Sequence, residues 1–277
     1  TPANREAPTS GFAVSFDGTD DYVTFDAATS TLGVKTFTLE TWFKRTGQGV
    51  ATSTGTGGVT SAIPLLTKGR GEGDGTNVDM NYFLGIDSTT NVLAADFEEC
   101  APAQVGCPAG QAGLNHPVSG TTPIHNGVWN HAAVTYDGQI WRLYLNGKLD
   151  GQLDIGSNRL PRWDSIQHAG LGTAMTSTGS AAGFFQGVLD ETRIWNVVRT
   201  QQEIQDNLGV ELTAGAGLLG RWGLNDGSGT TATNSIAGSP NGALTNGPLW
   251  VDGTTFAFPD ALGFGGTTAT DGYVTFG

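Results

Sequence analysis

The residues of this sequence best able to do chemistry are its acids. Asp96 and Glu98, in "AADFE", stand two apart and share one face if the segment is a strand. Retaining glycoside hydrolysis needs such a pair, two carboxylates roughly 5 Å apart, one acting as nucleophile and one as acid/base. The expectation for Asp96 and Glu98 is nonetheless a solvated acidic face. Other acids gather in turns and loops: Asp17, Asp20 and Asp21 in "FDGTDDY", and Glu72, Asp74, Asn77 and Asp79 in "GEGDGTNVD". Calcium takes about six to eight oxygens from carboxylates and loop carbonyls, so both groups are candidate sites. Turn chemistry alone accounts for Asp17 and Asp20, and the second group lacks EF-hand spacing.

No Ser/His/Asp signature is present, and His116, His125, His131 and His168 contain no His-x-x-x-His pair. Cys100 and Cys107 flank a short loop rich in Pro, Gly and Ala. They either close a disulfide, which implies an oxidising, extracellular setting, or remain two thiols. A metal site would require more Cys or His close by. Glycan recognition requires an exposed aromatic with convergent polar groups. Trp141 alternates with Leu143 and Leu145 and reads as core. Trp42 shares a face with Thr38, Glu40 and Lys44, opposite Phe37, Leu39 and Phe43. Trp42 with Glu40 is therefore the better surface candidate for a ligand, and Trp163 with Arg162 in "RLPRWDS" is a second. Burial beneath a neighbouring loop is nonetheless the leading reading for both tryptophans.

The elements that must position these groups are strands. The 43 glycines and 14% charged residues suit short strands and turns rather than long helices. "FAVSFDG", "DYVTF", "TFTLETWFKR", "WNHAAVTYDGQIWRLYLNGKLDGQL", "FFQGVLDETRIWN", "GLLGRWGL" and "GALTNGPLWV" follow the period of two. Asp137-Gly138 and Asn146-Gly147 mark hairpin turns. One helix is expected in "RTQQEIQDNLG", with Thr200 as N-cap, Glu203 at the capping-box position and Gly209 as stop. "TGQGVATSTGTGGVTSA" and "KGRGEGDGTNVD" are glycine-rich loops, either binding surfaces or flexible connections.

The ordered series "FDGTDDYVTF", "FTLETWFKR", "LLTKG", "WNHAAVTYDGQIWRLYLNGKLDG" and "GVLDETRIWNVVRTQQEIQDN", roughly residues 11–208, resembles the laminin G-like domains of bacterial surface proteins. These belong to the concanavalin A-like lectin/glucanase superfamily. The resemblance implies an all-β, concanavalin A-like jelly-roll sandwich of two antiparallel sheets with one short helix, and binding of glycans or proteins, often with calcium. Glucanase relatives carry a Glu-x-Asp-x-Glu pattern, and here Ala94 stands where the nucleophile would be, so no catalytic residue is assigned. The resemblance also implies that Asp190 in "GVLDETRIW" binds calcium with carbonyls near Phe16–Asp17; a strand-end hydrogen bond is the alternative. It further suggests a structural role for His131; separately, pairing of its strand with "TLETW" would set His131 beside Glu40.

The ending repeats the beginning. Phe16-Asp17-Gly18 answers to Phe264-Gly265-Gly266, and Tyr22 to Phe25 to Tyr273 to Phe276. Residues 1–10 are read as a tail, 11–250 as the jelly-roll domain and 251–277 as a linker and first strand of a further repeat. Alternatively, residues from 210 onward begin that repeat.

Net charge of −13 argues against nucleic acid and anionic membranes. No apolar run approaches the roughly 20 residues that span a bilayer. No signal peptide stands at the start, so one is expected either to have been removed or to lie outside this sequence. The expected function is a non-catalytic extracellular or cell-surface binding module, with a glycan or protein ligand and calcium support. The alternatives are a fibre subunit joined to neighbouring copies through residues 260–277, and a glucanase-like hydrolase.

Overall fold

The computed structural model describes residues 11–73, 76–101 and 104–253. In chain order the first elements are β1 (Phe12–Asp17), β2 (Tyr22–Thr24), α1 (Thr29–Leu32), β3 (Phe37–Arg45), β4 (Ala62–Lys68), β5 (Tyr82–Asp87), β6 (Leu93–Asp96) and β7 (Val118–Ser119). Then come β8 (Trp129–Tyr136), β9 (Ile140–Leu145), β10 (Lys148–Asp154), β11 (Ala169–Leu171), β12 (Thr173–Met175), β13 (Ala181–Phe184) and β14 (Gln186–Trp195). The last are α2 (Gln201–Asp206), β15 (Leu218–Trp222), β16 (Thr231–Ala232), β17 (Gly242–Thr245) and β18 (Leu249–Asp252).

Two eight-stranded antiparallel sheets make the sandwich. One runs β10-β9-β8-β3-β14-β1-β18, with β15 also paired to β14; the other runs β16-β17-β2-β11-β4-β5-β6-β7. β12 and β13 form a separate two-stranded ribbon. This is the expected all-β jelly roll, with two short helices instead of one. α1 escaped the sequence reading because four residues give no helical period. No described helix is long and apolar enough to cross a membrane.

The core lies between the sheets and follows the alternation of the strands. Phe37, Leu39 and Phe43 of β3 face Tyr82, Leu84 and Ile86 of β5 across it, all buried. Trp141 is core, as its alternation required, with its ring centroid 5.0 Å from that of Phe97 and 5.6 Å from that of Phe37. Both hairpin turns form. Asp137 Oδ1 accepts the amide hydrogens of Gln139 and Ile140 at 3.0 and 2.7 Å. Asn146 and Gly147 take the positive φ values of 52° and 73° that a primed turn demands.

β15 to β18 lie within the same two sheets. β17 pairs with β2, and β18 pairs with β1 in the register Phe12↔Asp252. Residues 1–10 and 254–277, which hold the expected tail and the second copy of "YVTF", lie outside the described residues.

Candidate functional site

The two glycine-rich loops meet. One follows β3, the other links β4 to β5, and both cross the face of the second sheet that points away from the core. Gly71 N donates to Ser53 O at 3.3 Å. A Cβ on Gly71 would lie 2.8 Å from the Gly55 Cα, so only glycine allows this approach. Between the loops is a cleft of about 430 Å³, lined by Thr52, Ser53, Gly55, Thr56, Arg70, Gly71, Glu72 and Gly73.

Both walls are held from behind. Gln167, buried, accepts the Arg70 amide hydrogen at 3.0 Å and donates from Nε2 to Arg70 O at 2.8 Å and Glu72 Oε2 at 2.9 Å. Glu72 also accepts from Ser177 N and Ser177 Oγ, each at 2.7 Å. Burial opposes ionisation of Glu72, but these hydrogen bonds, together with the charge of Arg70, outweigh it and lower the carboxyl pKa. The other wall hangs on Asp96. Its Oδ2 accepts from Thr54 Oγ1 at 2.6 Å and its Oδ1 from His116 N at 2.9 Å. Asn115 Nδ2 donates to Thr56 O at 3.0 Å at the rim.

Asp96 and Glu98 therefore do not form a solvated face. Their exposures are 0% and 3%. The loop over Asp96 is fitted so closely that a Cβ on Gly58 would fall 2.4 Å from Asp96 Oδ2. Burial raises the Asp96 carboxyl to about 7, against the lowering effect of its hydrogen bonds. Alternation correctly put both acids on one face; the loop that covers it comes from some 40 residues away and is invisible to local pattern.

Trp42 and Glu40 are buried, which follows the leading reading for Trp42 and removes the pair as a surface site. Trp42 is 5% exposed and packs with Ala133, Tyr144, Ile204 and Leu208 beneath α2; its Nε1 donates to Leu208 O at 2.8 Å. The polar face of β3 is thus an interior. Glu40 is fully buried, 2.7 Å from Arg199 Nη1, 3.6 Å from Arg193 Nη1 and 3.5 Å from His131 Nε2. Burial alone would raise the Glu40 carboxyl, but His131, Arg193 and Arg199 hold it at about 2. The proposed neighbourhood of His131 and Glu40 is present. The ion pairs continue to Glu191, which contacts both Arg193 and Arg221. These groups hold the α2 region onto the sheet and leave nothing of Trp42 for a ligand.

Arg162 is likewise buried, 3.3 Å from Asp79 Oδ2 and 2.7 Å from Asp164 Oδ1. Trp163 is half-buried, with Lys35 Nζ 4.0 Å from its ring centre. The acids of "GEGDGTNVD" diverge: Glu72 turns to Gln167 and Ser177, Asp79 to Arg162, and Asp74 lies outside the described residues. Asp17, Asp20 and Asp21 do converge, each offering an oxygen within 4.8 Å of the others. Asp190 is buried in β14, and its Oδ1 accepts the Glu191 amide hydrogen at 2.8 Å. Phe16 and Asp17 pair with Gly187 and Gln186, three or four residues along β14. At about 3.3 Å per residue they are not opposite Asp190. Cys100 and Cys107 form a disulfide.

Arg70, Ser53 and Thr56 were not singled out by sequence. The available signal was the interleaving of Arg70 and Glu72 with glycines.

The laminin G-type family model, described as the concanavalin A-like lectin/glucanases superfamily, matches residues 17–205, a span that includes the cleft. A candidate carbohydrate-binding protein from Bacteroides ovatus has a similar fold, with a TM-score of 0.56 and 19% identity over 90% of this chain; the chain spans 60% of that protein. The heptameric SAP-like pentraxin of Limulus polyphemus aligns with a TM-score of 0.52 and 14% identity, over 90% of this chain and 99% of its own. No curated protein matches the sequence.

Proposed function

Since the chain belongs to the laminin G-type family of the concanavalin A-like lectin/glucanases superfamily, we propose that it is a non-catalytic, extracellular glycan-binding module. The ligand occupies the cleft between residues 52–56 and 70–73. The observation that carries this reading is the cleft itself, polar and concave, with both walls fixed before any ligand arrives. Preformed walls spare the ligand the cost of ordering a loop. The burial of Asp96 and Glu98 supports a binding role over hydrolysis, since a retaining mechanism must bring both carboxylates to the sugar. The disulfide supports an oxidising compartment. A glycan array tests the reading, with the wild type compared with Thr56→Trp, which fills the mouth of the cleft from an exposed position. Binding by the wild type and loss in the variant is the expected result. Undiminished binding by Thr56→Trp moves the site elsewhere.

Calcium support, if the protein uses it, belongs at Asp17, Asp20 and Asp21. Burial raises the Asp21 carboxyl pKa, and the charges of Asp17 and Asp20 add to the effect. A divalent cation would relieve that repulsion, and the three carboxylates are the hard oxygen donors calcium takes. The thermal midpoint should rise with calcium relative to chelator in the wild type, by about 2–4 °C per kcal/mol of stabilisation. Asp21→Asn should abolish the rise. No rise in the wild type removes the calcium reading.

A further inference from the structure

The cleft also states what its ligand must bring. Among the groups that line it, Glu72 is spent. Its two oxygens already accept hydrogen bonds from Gln167 Nε2, Ser177 N and Ser177 Oγ. Arg70 is not. Its main chain is pinned by Gln167 on both sides, and its Nε donates to Ser180 O at 3.5 Å, a long contact. The two Nη groups make no hydrogen bond and no ion pair within 4.0 Å among the described residues, although the guanidinium charge acts on Glu72 and helps to lower its carboxyl pKa. The cleft thus contains a guanidinium on a pinned main chain, with its fork of hydrogen-bond donors unspent, next to a carboxylate that can accept little more.

We propose that the ligand is an acidic glycan whose carboxylate is taken by the Arg70 guanidinium. This assignment rests on the cleft being the glycan site. A carboxylate matches the planar fork with two parallel, charge-assisted hydrogen bonds. A neutral sugar hydroxyl offers one acceptor and no charge. The net charge of −13 does not forbid an anionic ligand. At physiological ionic strength charges beyond about 8 Å are largely screened, whereas a directly contacting pair is not. The same screening gives a signature: added salt weakens distant repulsion as well as the pair, so affinity should fall only shallowly with salt.

The test is calorimetric titration with galacturonate and glucuronate oligosaccharides, each against the neutral galactose or glucose oligosaccharide of the same linkage. The wild type should prefer the acidic member of a pair by tenfold or more. Arg70→Gln should bring the two members to similar affinity, and Arg70→Lys should keep part of the preference, since it keeps the charge but loses the fork. An unchanged thermal midpoint in Arg70→Gln shows that the loop has not collapsed. Equal wild-type affinity within each pair, or a preference untouched by Arg70→Gln, overturns the acidic-ligand assignment and leaves the glycan reading standing. Binding of sulfated but not carboxylated sugars overturns the carboxylate and retains the cation. Absence of binding to any member overturns the assignment, and the glycan array then decides separately whether the broader reading survives.

Discussion

At Asp96 burial and hydrogen bonding act in opposite directions, and burial prevails: the carboxyl titrates near 7 instead of near 3.8. Between about pH 4 and pH 7 the folded chain keeps a proton that the unfolded chain has released. Stability contributed by this group is therefore complete below pH 4 and is lost as pH rises to 7, after which it is flat. The amount at stake is on the order of 4 kcal/mol. Thr54 is placed for either state, because its hydroxyl lies 2.6 Å from Asp96 Oδ2 and 3.3 Å from Val59 O. Asp96→Asn should remove this part of the pH dependence, so urea unfolding at pH 4.5 and 7.5 should differ less in the variant than in the wild type. An identical difference in both would mean that Asp96 does not carry it.

Among the elements, α2 shows which information is local. Its capping box is legible in the sequence and present in the structure: Glu203 N donates to Thr200 Oγ1 at 3.2 Å and Thr200 N to Glu203 Oε2 at 2.7 Å. Thr200→Ala should cost about 1 kcal/mol in denaturant unfolding, and no loss would show that packing alone holds the helix. What α2 covers was not legible. Trp42 reaches Leu208 across 166 positions, and Thr38, Glu40 and Lys44 look like a wet face to anyone who cannot see that partner. The hairpins at Gly138 and Gly147 were readable because a turn is decided by its own residues. The cleft was not, because each loop shows only its glycines and the contact of Gly55 with Gly71 belongs to neither alone. The same holds for Asp190, whose register against β1 is set by the whole of β14.

At the scale of the molecule, a large core carries the fold, and the described residues of the segment from 97 to 116 lie outside its regular strands. That segment is tied by the disulfide and by Glu99, which accepts from Ala112 N at 2.7 Å and lies 3.0 Å from His116 Nε2 and 3.3 Å from Arg159 Nη1. Closing so short a loop constrains the unfolded chain by about 2–3 kcal/mol. Replacing Cys100 and Cys107 with serine should lower the unfolding free energy by about that much, read from urea midpoints at constant slope. An unchanged midpoint would assign the order of the segment to its polar contacts.

The pairing of β1 with β18 has a mechanical consequence. Phe12 lies opposite Asp252, and Gly253 N is 3.4 Å from Gly11 O, so the first and last described residues leave the same corner side by side. Tension applied to those two points pulls across the ladder rather than along it. Its hydrogen bonds bear the load one at a time, as a zipper opens, instead of sharing it as they would in shear. β18 should peel away at low force while the rest of the sandwich keeps its shape. Stretched between those two points, this strand pair would yield first and act as a shock absorber.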